Sequence, residues 1–170
     1  EPGGTPFSED IRSLLLRSQV EEVMPMTELF LVFASRAQHI EKLIIPSLAD
    51  GTWVLCDRFT DASYAYQGAG RGISEATIQN LESVVHQKMQ PDLTIILDLP
   101  VADGLRRARG RSNPDRFEQE DISFFDRVRE NYLLRAKSYS ERCKVIDASK
   151  PLKDVQAQLN NILLDFTDDR

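Results

Sequence analysis

The apolar run Trp53-Val54-Leu55-Cys56 is followed at once by Asp57 and Arg58, and then by the polar stretch that continues to Gly72. Read as a buried strand passing into a loop, this junction sets a carboxylate and a guanidinium together at the carboxyl edge of a sheet, where open α/β sheets bind their ligands. A guanidinium grips phosphate through two parallel charge-assisted hydrogen bonds, and a carboxylate can hold Mg²⁺ through its waters. Asp57 and Arg58 therefore suit phosphate chemistry, although the same dipeptide also suits a partly exposed ion pair. Glu1-Pro2-Gly3-Gly4-Thr5 adds a second acid and a double glycine. Such glycines let backbone pass close to a ligand or adopt positive φ, and a plain turn uses the same residues. Arg12 lies on the helical pattern that follows, in which Ile11, Leu14, Leu15 and Leu16 cluster on one side.

Further along, Arg109, Arg111 and Arg116 fall within eight residues, interrupted by Gly110, Ser112, Asn113 and Pro114. The breakers disrupt regular structure where a flexible cover would need it. Any one of these arginines suits a solvated helix end; three together suggest an anionic ligand.

The elements that must position these groups alternate. Hydrophobic periodicity predicts helices over 8–17, 26–50, 74–88, 101–110, 121–142 and 152–166, and strands over 53–56, 93–99 and 144–147. Continuous apolar strands separated by helices indicate an α/β class with a parallel sheet covered on both faces. The sequence has no internal repeat, low-complexity tract or linker, so a single domain over 1–170 is expected. The long helix 26–50 carries Glu28, Phe33, Arg36 and Ile40 at helical spacing, which lets Arg36 share a face with apolar side chains. Leu29, Phe30, Leu31, Val32, Phe33, Ala34 and Ala37 cover more than one stripe of it, so burial on several sides is expected, against the sheet and against a partner.

Composition narrows the function classes. The 170 residues hold 21 basic and 27 acidic side chains, a net charge of −6. Nucleic-acid binding draws its affinity from basic groups meeting phosphates, so a general nucleic-acid binder is not expected. No apolar run approaches membrane-spanning length and nothing resembles a secretory signal, which points to a cytoplasmic enzyme away from membranes. Cys56 and Cys143 lack metal-type spacing and read as packing residues. His39 and His86 are isolated in the sequence and are expected to be solvated or capping.

Taken in order, EPGGT, TELFLVFASRAQHI, DRFTDASYAYQGAGRG, PDLTIILDLP and RRARGRSNPDRFEQED resemble bacterial thymidylate kinase over nearly the whole chain. The resemblance implies a three-layer α/β/α fold of the P-loop NTPase kind, ATP as phosphoryl donor, Mg²⁺, and dTMP converted to dTDP. It further implies that Arg36, Ser63 and Gln67 read the thymine edge, that Tyr66 crowds the sugar, and that Arg12 and Arg58 clamp the dTMP phosphate. Asp57 would orient the metal shell or the acceptor, with Glu1 in the same shell. Residues 106–120 would form a lid from which Arg109, Arg111 or Arg116 reaches the transferring phosphoryl group. Ala148 and Ser149 would meet ATP through their backbone, and the 26–50 helix would form a homodimer.

Two departures qualify the match. Val32 stands where related enzymes can show a phenylalanine, leaving Phe33 or Phe30 as the ring that stacks on thymine. No string of the form G-x-x-x-x-G-K-[ST] occurs in the 170 residues, although that loop supplies the grip on ATP phosphates. The expectation is that the amino-terminal strand and phosphate loop are missing here, which puts the activity of this chain alone in doubt. A kinase for another nucleoside monophosphate and a non-catalytic nucleotide-binding protein remain as alternatives.

Overall fold

The computed structural model describes residues 1–17, 21–109, 116–117 and 119–168, and divides into two compact units. The first comprises residues 1–89 with the described residues of 114–120; the second comprises the described residues of 90–113 and 121–170.

The first unit opens with Gly3 and Gly4, both at positive φ, of 131° and 99°. The Gly3 N–H donates to Ser35 Oγ at 3.2 Å and the Gly4 N–H to Glu9 Oε1 at 2.8 Å. A Cβ on Gly4 would lie 2.5 Å from His39 Nε2, so glycine is required there both by φ and by the approach of the buried ring. Thr5 then caps α1 (Pro6–Leu16), its hydroxyl accepting from the Ser8 N–H at 3.2 Å, and Pro6 suits the first turn because its missing N–H would have had no partner. Ile11 and Leu15 of α1 pack on Val32 of α2 (Pro25–His39).

The expected long helix is continuous but not uniform. After α2, Ile40–Ile44 is wound as a π-helix, with the Ile45 N–H reaching the Ile40 carbonyl five residues back, and α3 (Ile45–Ala49) completes it. Pro46 has no N–H to donate, and such a lapse in the i→i−4 ladder accommodates a wider turn. A second π-helical stretch, Tyr64–Gly70, follows the one-turn helix α4 (Thr60–Ser63). Ser74 caps α5 (Glu75–His86), and Ile78 of α5 joins Leu29, Phe33 and Tyr64 in the main core of this unit.

The predicted strand over 53–56 is not observed. Residues 53–56 have no regular secondary structure, Trp53 is largely exposed and Leu55 fully so. A strand exists through its ladder, and this segment has no ladder partner among the described residues.

The second unit holds the parallel pair. β1 (Thr94–Asp98) and β2 (Cys143–Asp147) run side by side, Thr94 opposite Cys143 and Asp98 opposite Asp147. Parallel strands need a long crossover, and here it includes α6 (Val101–Arg109) and α7 (Ile122–Ser138). Asp121 caps α7 through the Phe124 N–H at 2.7 Å. Ile96, Ala136 and Cys143 form a core cluster, and α8 (Leu152–Asp168) lies against β2.

The Gly4 geometry yields a comparison. Gly72 also has positive φ, 79°, but open space where its Cβ would go. Gly4→Ala is expected to lower unfolding free energy in urea by about 1–3 kcal/mol more than Gly72→Ala does; equal losses would show that the approach of His39 does not constrain residue 4.

Candidate functional site

Arg36 is the centre of the first unit's polar cluster, with only 1% of its surface exposed. Its Nε donates to Glu1 Oε2 at 2.6 Å, one terminal nitrogen to Ser63 Oγ at 3.0 Å and the other to the Phe59 carbonyl at 3.3 Å. The guanidinium lies over the rings of Phe33 and Phe59, 4.8 and 5.4 Å from their centroids. These contacts use three of its five N–H donors, and the planar fork leaves directed donors for a ligand. His39, one turn on, bonds through Nδ1 to the other Glu1 oxygen at 2.9 Å. Burial opposes the charge on Glu1, but the Arg36 guanidinium and the hydrogen bonds from His39 and Arg36 hold its carboxyl below the ordinary carboxylate value.

A second cluster forms around Glu28, about two turns before Arg36 on α2 and fully buried. Gln67 Nε2 donates to its Oε1 at 2.9 Å, and Arg116 donates through a terminal nitrogen to Oε2 at 2.6 Å. Arg71 reaches both oxygens at 3.3–3.5 Å and pairs with Glu120 at 2.6 Å. Arg116 also donates from Nε to the Leu15 carbonyl at 3.0 Å, and its guanidinium lies 4.5 Å from the Phe117 ring centroid. Tyr66 meets Phe117 edge-on at 6.1 Å.

The structure thus joins Glu1, Arg36 and Ser63 directly, with Phe33 beneath the guanidinium and only 3% exposed. Gln67 is held instead by Glu28. Arg12 donates to the Pro2 carbonyl at 3.0 Å. Asp57 and Arg58 are exposed, and neither side chain has a protein partner among the described residues. Arg58 has φ of 64°, a conformation that non-glycine residues adopt only when their surroundings enforce it. In the second unit, the Ala148 N–H donates to the Asp98 carbonyl at 2.8 Å and Arg107 donates to the Ala148 carbonyl at 3.1 Å. Ser149 donates its N–H and its hydroxyl to Asp147 Oδ1. Arg109 ends α6, and Arg111 lies outside the described residues.

Sequence reasoning missed the roles of Glu28, His39 and Phe59. Glu28 had a readable signal, since a carboxylate in an otherwise apolar stretch of helix must find partners when buried. His39 and His86 are buried, not solvated or capping as expected, because their partners Glu1 and Thr60 are remote in sequence. Cys143 packs in the core as expected, whereas Cys56 is half-buried and donates to the Arg58 carbonyl. Ligand atoms of Glu1, His39 and Cys56 lie within 4.8 Å of one another. Glu1 is already committed to Arg36, and burial and then Glu1 push the Cys56 thiol up to about 11, so the trio favours an ion pair over a metal thiolate.

His86 underlies the Phe59 loop. Its Nε2 lies 2.7 Å from Thr60 Oγ1 and its ring 4.8 Å from that of Phe59. Burial, then the positive charge of Arg36, depress its pKa from 6.5 to about 4, outweighing Glu82 and Glu1. The folded state therefore binds this proton less readily than the unfolded chain does. Stability is full above pH 6.5 and falls as pH drops towards 4, by up to about 3 kcal/mol. Urea unfolding at several pH values is expected to show that slope in the wild type and a flatter one in His86→Gln; identical slopes would remove His86 as its source.

This geometry stands beside clear relationships. A family model described as thymidylate kinase matches residues 1–159. The chain is 54% identical to a thymidylate kinase of Teredinibacter turnerae over 166 residues, covering 98% of this chain and 81% of that one. It is 56% identical to a thymidylate kinase of Pseudomonas savastanoi pv. phaseolicola over 163 residues, covering 96% and 78%. The crystal structure of thymidylate kinase from Ehrlichia chaffeensis superposes with a TM-score of 0.74 at 33% identity, covering 96% of this chain and 77% of that one. The parallel ladder with its crossover helices and this likeness agree on a P-loop NTPase-like α/β fold, and the chain belongs to the thymidylate kinase family.

Proposed function

We infer that this chain performs its family's reaction, the transfer of the ATP γ-phosphoryl group to dTMP to give dTDP and ADP. The observation that carries the site assignment is Arg36: a buried guanidinium held against the rings of Phe33 and Phe59, with donors left over beside Ser63. Donors at that place fit the acceptor oxygens of a thymine edge, and Ser63 and Gln67 complete the polar rim. Phe33 supports Arg36 from below and Tyr66 faces the sugar. Arg12 and Arg58 supply the charge for the dTMP phosphate.

In such a transfer the protein forms no covalent bond to the phosphoryl group; it aligns acceptor and donor, offsets their charge and excludes water. The Asp57 carboxylate has no protein partner among the described residues and offers hard oxygen ligands, so it fits Mg²⁺ held through water, with Glu1 behind it. Held there, Mg²⁺ would offset charge on the phosphate oxygens. Arg109, Arg111 and Arg116, within a lid at 106–120 of a single catalytic domain, are the candidates for stabilising charge on the transferring oxygens, Arg116 only by leaving the bonds to Glu28 and Leu15 that it makes here. Ala148 and Ser149 offer backbone to ATP through their carbonyls, since their N–H groups are held by Asp98 and Asp147. We further place the enzyme in the cytoplasm; no described helix is long and apolar enough to cross a membrane.

A coupled assay of ADP release tests the assignment. Arg36→Ala is expected to lower kcat/KM for dTMP by roughly 10–100-fold, the scale of a lost hydrogen bond to a charged group, mainly through KM. Asp57→Asn should act mainly on kcat. Wild-type kinetics in Arg36→Ala would remove it from the substrate site.

α2 also leaves Phe30 54% exposed between buried neighbours Leu29 and Val32, which supports a homodimer through the 26–50 helix. Light scattering at micromolar concentration should give twice the chain mass for the wild type and a shift towards monomer for Phe30→Asp. A monomeric wild type would contradict the dimer.

A further inference from the structure

Gln67 has an amide whose two ends do opposite things, one donating and one accepting. Which end faces a ligand is decided by what holds the other. Its Nε2 donates to Glu28 Oε1 at 2.9 Å, and both residues are buried, Gln67 at 4% exposure and Glu28 at 0%. The Glu28 carboxylate, facing the guanidiniums of Arg71 and Arg116, only accepts hydrogen bonds. A turned amide would set its oxygen against that carboxylate, lone pair to lone pair, in a buried place. The sense of Gln67 is therefore forced by its neighbour. Its Oε1 has no hydrogen-bond partner among the described residues, and it is the acceptor left over.

Arg36 shows the complementary property, since it is bonded to Ser63 at the start of the π-helical stretch that carries Gln67 and has only donors to give. Thymine carries a donor at N3–H next to an acceptor at O4. Cytosine inverts both, with an acceptor at N3 and a donor amino group at C4. A forced acceptor one turn past the serine that Arg36 holds matches the first pattern and opposes the second.

We propose that Glu28 is a specificity-determining positioning residue: by holding the Gln67 amide nitrogen it makes Gln67 an obligate acceptor, so that the site takes pyrimidines with N3–H and rejects cytosine. The proposal rests on the thymine-pocket reading above. It gives a reason for burying an acid on an otherwise apolar stretch of α2, a reason that packing alone does not supply. Arg116 and Arg71 pair with that acid, so the two arginines act on base selection without touching the base.

Calorimetric titration of the full chain with dTMP, dUMP and dCMP tests it in the wild type, Glu28→Gln, Glu28→Asp and Gln67→Ala, each first checked for folding by circular dichroism. The wild type should bind dTMP and dUMP and favour dTMP over dCMP by more than about 100-fold. In Glu28→Gln the Gln67 amide can turn, and that ratio should shrink by about tenfold or more through gained dCMP binding. Glu28→Asp retains an acceptor and should restore most of the ratio, whereas Gln67→Ala should lose it. A wild type that fails to prefer dTMP sinks the thymine-pocket reading itself. A wild type that prefers dTMP while Glu28→Gln keeps the same ratio overturns the role of Glu28 alone. Should Glu28→Gln not fold, the wild-type protein decides: the Gln67 side-chain amide protons, assigned by their loss in Gln67→Ala, should remain slow to exchange both without and with dTMP, because Glu28 keeps holding them. Fast exchange of those protons on dTMP binding would show that the amide leaves Glu28, and the proposal fails.

Discussion

Burying the Arg36 guanidinium is the constraint on which the first unit depends. A charge withdrawn from water is tolerated only where opposite charge and hydrogen bonds replace the solvent. Arg36 obtains that replacement from three separate segments: the carboxylate of Glu1, the hydroxyl of Ser63 and the carbonyl of Phe59, with two aromatic rings along its faces. Each partner must be brought from elsewhere in the chain. The positive φ of Gly3 and Gly4 turns the leading segment so that Glu1 lies against α2, and the cap at Thr5 then starts α1 in the right direction. On the other side, Thr60 bonded to a neutral His86 keeps the Phe59 loop in place. Losing one partner of a buried ion pair leaves an uncompensated charge, at a cost of about 3–5 kcal/mol, so the arrangement resists drift.

Glu28 repeats the principle with the signs exchanged. Here the buried charge is negative, and the groups that compensate it come from the Gln67 turn, from Arg71 and from Arg116. Helix α2 therefore carries a buried acid and a buried base about two turns apart, and both are tied to the stretch from Phe59 to Arg71. The wide π-helical winding of Tyr64–Gly70 lies within that stretch. π-Helical turns are frequent at functional sites because the wider winding redirects side chains that a regular helix would stack.

The fold class, most helices and the β1 and β2 strands were legible because apolar periodicity reflects burial directly. Arg36, Ser63 and Glu1 were singled out through the resemblance of their motifs, and the structure brings the three into contact. What the sequence did not yield was pairing over distance. Residues 53–56 have the composition of a strand, but composition cannot supply a ladder partner. His39 and His86 look like isolated polar residues until partners 38 and 26 positions away close on them. Glu28 was visible at the right spacing, yet its partners could be found only once the turn after Ser63 was folded.

The measurement that bears most directly on this account is a crystal structure of the protein with dTMP bound. The account predicts the thymine edge about 3 Å from Arg36 nitrogen, the Gln67 amide oxygen toward N3–H, and the Glu1–Arg36 and Glu28–Gln67 bonds still in place. A thymine bound away from α2, with Arg36 enclosed by Glu1, Ser63 and Phe59 and touching no ligand, would contradict it.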